Sequence, residues 1–217
     1  MLLWEIDINH PKNPQFVSPE TQLQNHGLSI NIRSKKNCRK ESYIMEDKLI
    51  WVDLNDNKIG YGEKLDTHKR NILHRAFSVF LYSNGKILIQ QREKNKYHSG
   101  ELWANSCCSH PRKGEELIEA AHRRVEEELG IKAGTCELKE IDSFVYFQNY
   151  GNLSEYEFDH VIVGEYEGEI KPNPEEIQDY RWISYEDLSK ELIETPTKFS
   201  AWFLIAAPKV LRWLEQK

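Results

Sequence analysis

Two pairs of residues spaced two apart carry most of the chemical potential of this chain: Cys108 with His110, and Glu155 with Glu157. In an extended segment, side chains at i and i+2 project from one face, so each pair presents its groups together. With His68 and His74 they supply three imidazoles and two carboxylates, a set suited to octahedral binding of manganese, magnesium or zinc. A thiol next to a metal site and basic residues can exchange its proton, although its unperturbed pKa is about 8.5. The chain has eight histidines, and His10, His26, His98, His122 and His160 are read as structural. Glu165, Glu167 and Glu169 also alternate, but they approach Pro172 and Pro174 and read as a solvated strand end.

The elements that position these groups follow from local patterns. Leu49–Asp53 reads as a strand, Asn55-Asp56-Asn57 as a turn, and Lys58–Tyr61 as a return strand. Ala76–Tyr82 and Lys86–Gln91 flank Ser83-Asn84-Gly85, whose Asn-Gly accepts the positive φ of a tight hairpin. Gly114–Leu129 has high helix propensity and Gly130 is placed to stop it. Strands near Ser143–Phe147, Glu155–Glu165 and Tyr180–Ile183 follow, then a helix at Tyr185–Leu192 and a last helix from about Ala201. The mixed order predicts an α+β fold with a mixed sheet packed between helices.

On the central helix, Leu117, Ile118, Ala121, Val125 and Leu129 form one core-facing arc. Glu128 falls inside it and Arg124 lies one turn earlier at its edge. A carboxylate on a buried face needs a cation, which makes this pair unlike ordinary surface charge.

With 217 residues and 39% hydrophobic content the chain can bury a core. Residues 1–46 are polar and irregular, with three early prolines and a basic run from Arg33 to Lys40, and read as an extension to a domain over 47–217. A net charge of -6 argues against a general nucleic-acid binder. An anionic ligand therefore requires a local basic cluster, for which Arg92, Lys96, Arg124 and Lys64 are the candidates. No apolar run approaches a membrane span and the first residues lack the order of a signal peptide, so a cytoplasmic protein is expected. Cys38, Cys107, Cys108 and Cys136 include no CxxC, which suggests neither a disulfide framework nor a structural zinc module.

Counting back from Gly130, Ser109-x5-Glu115-x7-Arg123-Arg124-Val125-x-Glu127-Glu128-x-Gly130-Ile131 resembles the Nudix box. Nudix proteins use that loop and helix to hold divalent cations against a diphosphate. Ser109 stands in place of the first Gly, and Arg124 replaces the Glu of the Arg-Glu pair. That exchange removes a metal-binding carboxylate of the hydrolases and installs a cation.

Within that superfamily, Asn105-Ser106-Cys107-Cys108-Ser109-His110-Pro111 resembles the active-site segment of the type I isopentenyl-diphosphate isomerases. Further matches are His74–Ser78, Arg92 with Lys96, Glu155-Tyr156-Glu157 and Phe199–Trp202, in common order over roughly 50–205. Two departures are Gly100-Glu101 in place of Pro-Gly, and Ala201 where Pro precedes the late Trp. The resemblance selects Cys108 over Cys107 as the catalytic thiol and implies His68, His74, His110, Glu155 and Glu157 as metal ligands. It also implies Arg92 and Lys96 as diphosphate contacts, with Glu128 holding a second cation, magnesium, bridged to the diphosphate.

The implied reaction moves a carbon–carbon double bond by adding a proton to one carbon and removing another from its neighbour. Cys108 and Glu157 are the expected proton-transferring pair, with Tyr146 supporting Glu157. Trp202 is expected to face the transient tertiary cation. The competing expectations are a Nudix pyrophosphohydrolase acting on a nucleoside diphosphate derivative and a non-catalytic Nudix module.

Overall fold

In the computed structural model, residues 47–217 are described. The expected extension over 1–46, including His10, His26 and Cys38, lies outside the described residues. Strand β1 (Leu49–Val52) pairs antiparallel with β2 (Lys58–Gly62), and helix α1 (Lys64–Lys69) follows. The hairpin of β3 (His74–Ser83) and β4 (Lys86–Arg92) closes through Asn84 and Gly85, at φ 48° and 72°. Both values lie in the left-handed region that an Asn-Gly turn tolerates.

Two short strands, β5 (Trp103–Ala104) and β6 (Cys107–Ser109), lead to helix α2 (Leu117–Leu129). That helix ends on Gly130 in the left-handed conformation, as its position predicts. It starts three residues later than expected. Gly114 takes φ 82°, and Glu115 uses its carboxylate outside the helix, on the Arg112 backbone N–H and the Arg123 guanidinium. Strands β7 (Leu138–Asn149), β8 (Ser154–Glu165) and β9 (Ile177–Ser184) precede α3 (Tyr185–Glu194) and α4 (Ala201–Glu215).

The nine described strands form one mixed sheet with β3 as its trunk. One edge of β3 runs parallel to β8, from His74 opposite Glu157 to Tyr82 opposite Glu165. The other edge receives β1 at His74, β6 at Phe77–Val79 and β4 at Tyr82–Ser83. Alternation then sorts the side chains. Phe80, Tyr82, Val161 and Val163 pack under α4, whereas Phe77, Val79, Leu81 and Ile162 pack under α2. The result is the helix–sheet–helix sandwich expected from the order of elements.

The α4 side is held by large apolar side chains. Phe203 is fully buried and stacks on both Phe80 and Phe199, at 5.7 and 5.3 Å between ring centroids. Phe203→Ala is expected to lower stability by about 3–5 kcal/mol, which a denaturant titration will read as a lower midpoint at unchanged slope.

Candidate active site

The register of the sheet assembles the first half of the site. Because His74 sits opposite Glu157, an imidazole and a carboxylate meet on the α4 face of the sheet at the start of β3. His110 enters from the residue after β6, and His68 from α1. Their nitrogens and one Glu157 oxygen all lie within 4.8 Å of one another. His110 Nε2 is 2.9 Å from Glu157 Oε1 and 3.2 Å from His74 Nε2.

The arrangement suits a divalent cation. His68 and His74 turn Nδ1 toward the backbone carbonyls of Lys64 and Ile72, at 2.6 and 2.8 Å, so each Nε2 presents its lone pair to the group. His68 Nε2 is buried with no hydrogen-bond partner, a donor atom left open for a ligand. Burial, joined by the neighbouring His74, lowers the His68 pKa to about 4, and burial lowers that of His110 to about 3. Both rings are therefore neutral at pH 7, the form that binds metals. Burial works against an ionised Glu157, but the hydrogen bonds and charges of His110 and His74 together outweigh it and hold the carboxyl well below the usual range.

Glu155 does not join this group of four, in contrast to the expected set of five. Its Oε1 faces His98 Nε2 at 2.8 Å, and its Oε2 accepts from Tyr146 at 2.9 Å and Tyr150 at 3.3 Å. His98 is thus a site residue that its sequence did not disclose. It lies on the loop after β4, buried, with its ring stacked on Tyr150 at 4.3 Å. The Tyr146 hydroxyl also lies 2.7 Å from Glu157 Oε2, so its one proton is shared between the two carboxylates, and burial raises its pKa so far that it remains a donor. His160 instead pairs with Glu140 and Asp56, away from this cavity.

The second half of the site is the wall facing the carboxylates. A cavity of about 200 Å³ is lined by Cys108, Arg92, Trp202, Glu155 and Glu157, with Lys64, Lys96, Arg124 and Glu128 also on its walls. Cys107, one residue away, points to the opposite face of β6 and is fully buried in the α2 core. Arg92 Nη1 lies 3.9 Å from Cys108 Sγ, and the same guanidinium sits 5.1 Å above the Trp202 ring. Burial pushes the Cys108 thiol up while Arg92 opposes it. Trp202 is anchored by donating Nε1–H to Asn105 Oδ1 at 2.9 Å. Burial lowers the Lys64 pKa.

Arg124 and Glu128 form the ion pair expected on α2, and Gln90 donates to the other Glu128 oxygen at 3.1 Å. A residue absent from the expected set lies beside them. Glu176, on the loop before β9, pairs with both Lys96 and Arg124.

The fold is that of a known protein class: the NUDIX domain family matches residues 72–203. The fold is shared with a Deinococcus radiodurans protein of known structure, at TM-score 0.57 and 22% identity, covering 68% of this chain and 90% of that one. Among relatives, the isopentenyl-diphosphate Delta-isomerase 2 of Aromatoleum aromaticum is 43% identical over 77% of this chain and 88% of its own length. The isopentenyl-diphosphate Delta-isomerase of Serratia proteamaculans is 44% identical over 78% of this chain and 97% of its own. The chain belongs to this isomerase family of NUDIX-domain proteins. Among the described residues, no helix is long and apolar enough to cross a membrane.

Proposed function

We propose that this cavity interconverts isopentenyl diphosphate and dimethylallyl diphosphate, with Cys108 and Glu157 transferring the protons. The observation that carries the reading is the position of those two groups on one cavity, brought there from opposite edges of β3. Ser78 pairs with Cys108 on one side of that strand and His74 with Glu157 on the other.

One group adds a proton to the terminal alkene carbon, leaving a tertiary cation. The other removes a proton from the carbon next to the diphosphate-bearing one, and the double bond forms there. The reverse reaction exchanges their roles. The Tyr146 hydroxyl orients Glu157 and holds one of its oxygens. The Trp202 face supplies negative potential to the cation without a nucleophile that could trap it, worth about 0.5–2 kcal/mol.

His68, His74, His110 and Glu157 hold a divalent cation, and Glu155 is the candidate for a fifth ligand. A bound cation supplies fixed positive charge that organises Glu157. Manganese, magnesium and zinc all suit nitrogen and carboxylate donors, and a second ion, magnesium, is assigned to Glu128 beside the substrate diphosphate. Arg92, Lys96, Arg124 and Lys64 grip the diphosphate on a chain of overall negative charge. The enzyme acts on this small substrate in the cytoplasm, without nucleic acid or membrane partners.

Hydrolysis fits the cavity less well. Arg124 stands where a hydrolase would carry a metal-binding carboxylate, and its guanidinium is bound to Glu127 and Glu128. Arg92→Ala is expected to raise the Michaelis constant about 10–100-fold, the loss of a charge-assisted contact, with a smaller change in turnover. Steady-state kinetics with isopentenyl diphosphate will test both the grip and the reading, since unchanged kinetics would place the diphosphate elsewhere.

A further inference from the structure

The basic wall of the cavity already holds an anion, and that anion belongs to the protein. Glu176 Oε2 takes the Lys96 ammonium, and its Oε1 lies 3.4 Å from Arg124 Nη2. Both cations are among those assigned above to the diphosphate.

The backbone beneath this carboxylate is fixed. Glu176 N–H donates to Asn173 O at 3.0 Å, and Glu93 N–H donates to Glu176 O at 3.0 Å. Asn173 N–H in turn donates to Glu128 O at 2.8 Å, which ties the loop to the end of α2. Any displacement of this carboxylate therefore falls to the Glu176 side chain. That side chain is 27% exposed, against 4% for Glu128. Both carboxylates line the cavity; Glu128 is held by Arg124 and Gln90, and Glu176 by Lys96 and Arg124.

We propose that Glu176 is an internal stand-in for the diphosphate, which occupies Lys96 and Arg124 in the resting enzyme and is displaced when the ligand enters. The inference rests on the diphosphate reading of this wall. The exchange keeps Lys96 paired while the cavity is free of substrate, and adds a third carboxylate to Arg124, which Glu127 and Glu128 already hold. It also makes binding a replacement of one anion by another, so the intrinsic strength of the grip is partly spent on the displaced carboxylate.

The test is calorimetric binding of inorganic pyrophosphate, in the presence of magnesium, to wild type, Glu176→Gln, Arg92→Ala and the double variant. The amide keeps the size of the side chain but removes the competing charge, so Glu176→Gln should bind pyrophosphate roughly fivefold tighter. Arg92→Ala should weaken binding in either background. If Arg92→Ala leaves wild-type binding unchanged, the diphosphate reading itself fails. If Arg92→Ala weakens binding but Glu176→Gln binds equally or more weakly than wild type, the diphosphate reading stands and the stand-in is wrong. Glu176→Ala carries the same expectation and serves if the amide variant does not fold.

Discussion

Cys108→Ala is expected to lower isomerisation by about 10²–10⁴-fold, while Cys107→Ala keeps most of it. The two thiols are neighbours in sequence, yet β6 sends them to opposite faces of the sheet. Cys108 lines the cavity with Arg92 and Trp202 beside it, and Cys107 is sealed among Phe77, Val79 and Val125. Loss of the first removes a proton-transferring group without opening much space in the core. Loss of the second removes a small core atom, at a stability cost of about 1 kcal/mol and no chemistry. Turnover of the two variants at saturating substrate, read beside their melting temperatures, separates these effects. Equal loss in both would remove Cys108 from its role.

The second large effect is expected at Glu157. Glu157→Gln should reduce metal affinity about 10–100-fold or more and, at saturating metal, still reduce turnover by about 10²–10⁴-fold. The two losses have different origins. The first is the loss of a charged ligand oxygen beside His74 and His110, and the second is the loss of a group able to take up a proton. Tyr146 donates to this side chain, so an amide must also present its oxygen to that hydroxyl and its nitrogen elsewhere. Metal content measured together with single-turnover rates distinguishes the two contributions. Normal turnover with the metal in place would exclude Glu157 as a proton-transferring residue.

Much of this arrangement was legible in residue patterns. The Asn84-Gly85 turn has a local cause, and so has the end of α2 at Gly130. The burial of Glu128 followed from its angle on the helix, and its Arg124 partner from one turn of spacing. Strand alternation placed Cys108 with His110 and Glu155 with Glu157, and the longer strands appeared where apolar runs were expected.

What remained hidden is short or irregular. Helix α1, with six residues, is below the length at which a helix holds itself, and is tied down by tertiary bonds such as Trp51 Nε1 to Thr67 Oγ1 at 2.9 Å. Strands β5 and β6 have two and three residues, too few for a period to show. Glu176 reaches the cavity, and His98 reaches Glu155 behind its wall, from loops where no periodicity says which way a side chain points. Glu155 shares a face with Glu157, but its capture by His98, Tyr146 and Tyr150 depends on elements far apart in sequence.

The central claim is that the cavity moves a double bond by exchanging protons with solvent through its own side chains. Incubation of the metal-loaded enzyme with isopentenyl diphosphate in deuterated water tests it most directly. The account predicts dimethylallyl diphosphate carrying deuterium in a methyl group, with no release of phosphate or pyrophosphate. Unlabelled dimethylallyl product, or phosphate release without isomerisation, would contradict it.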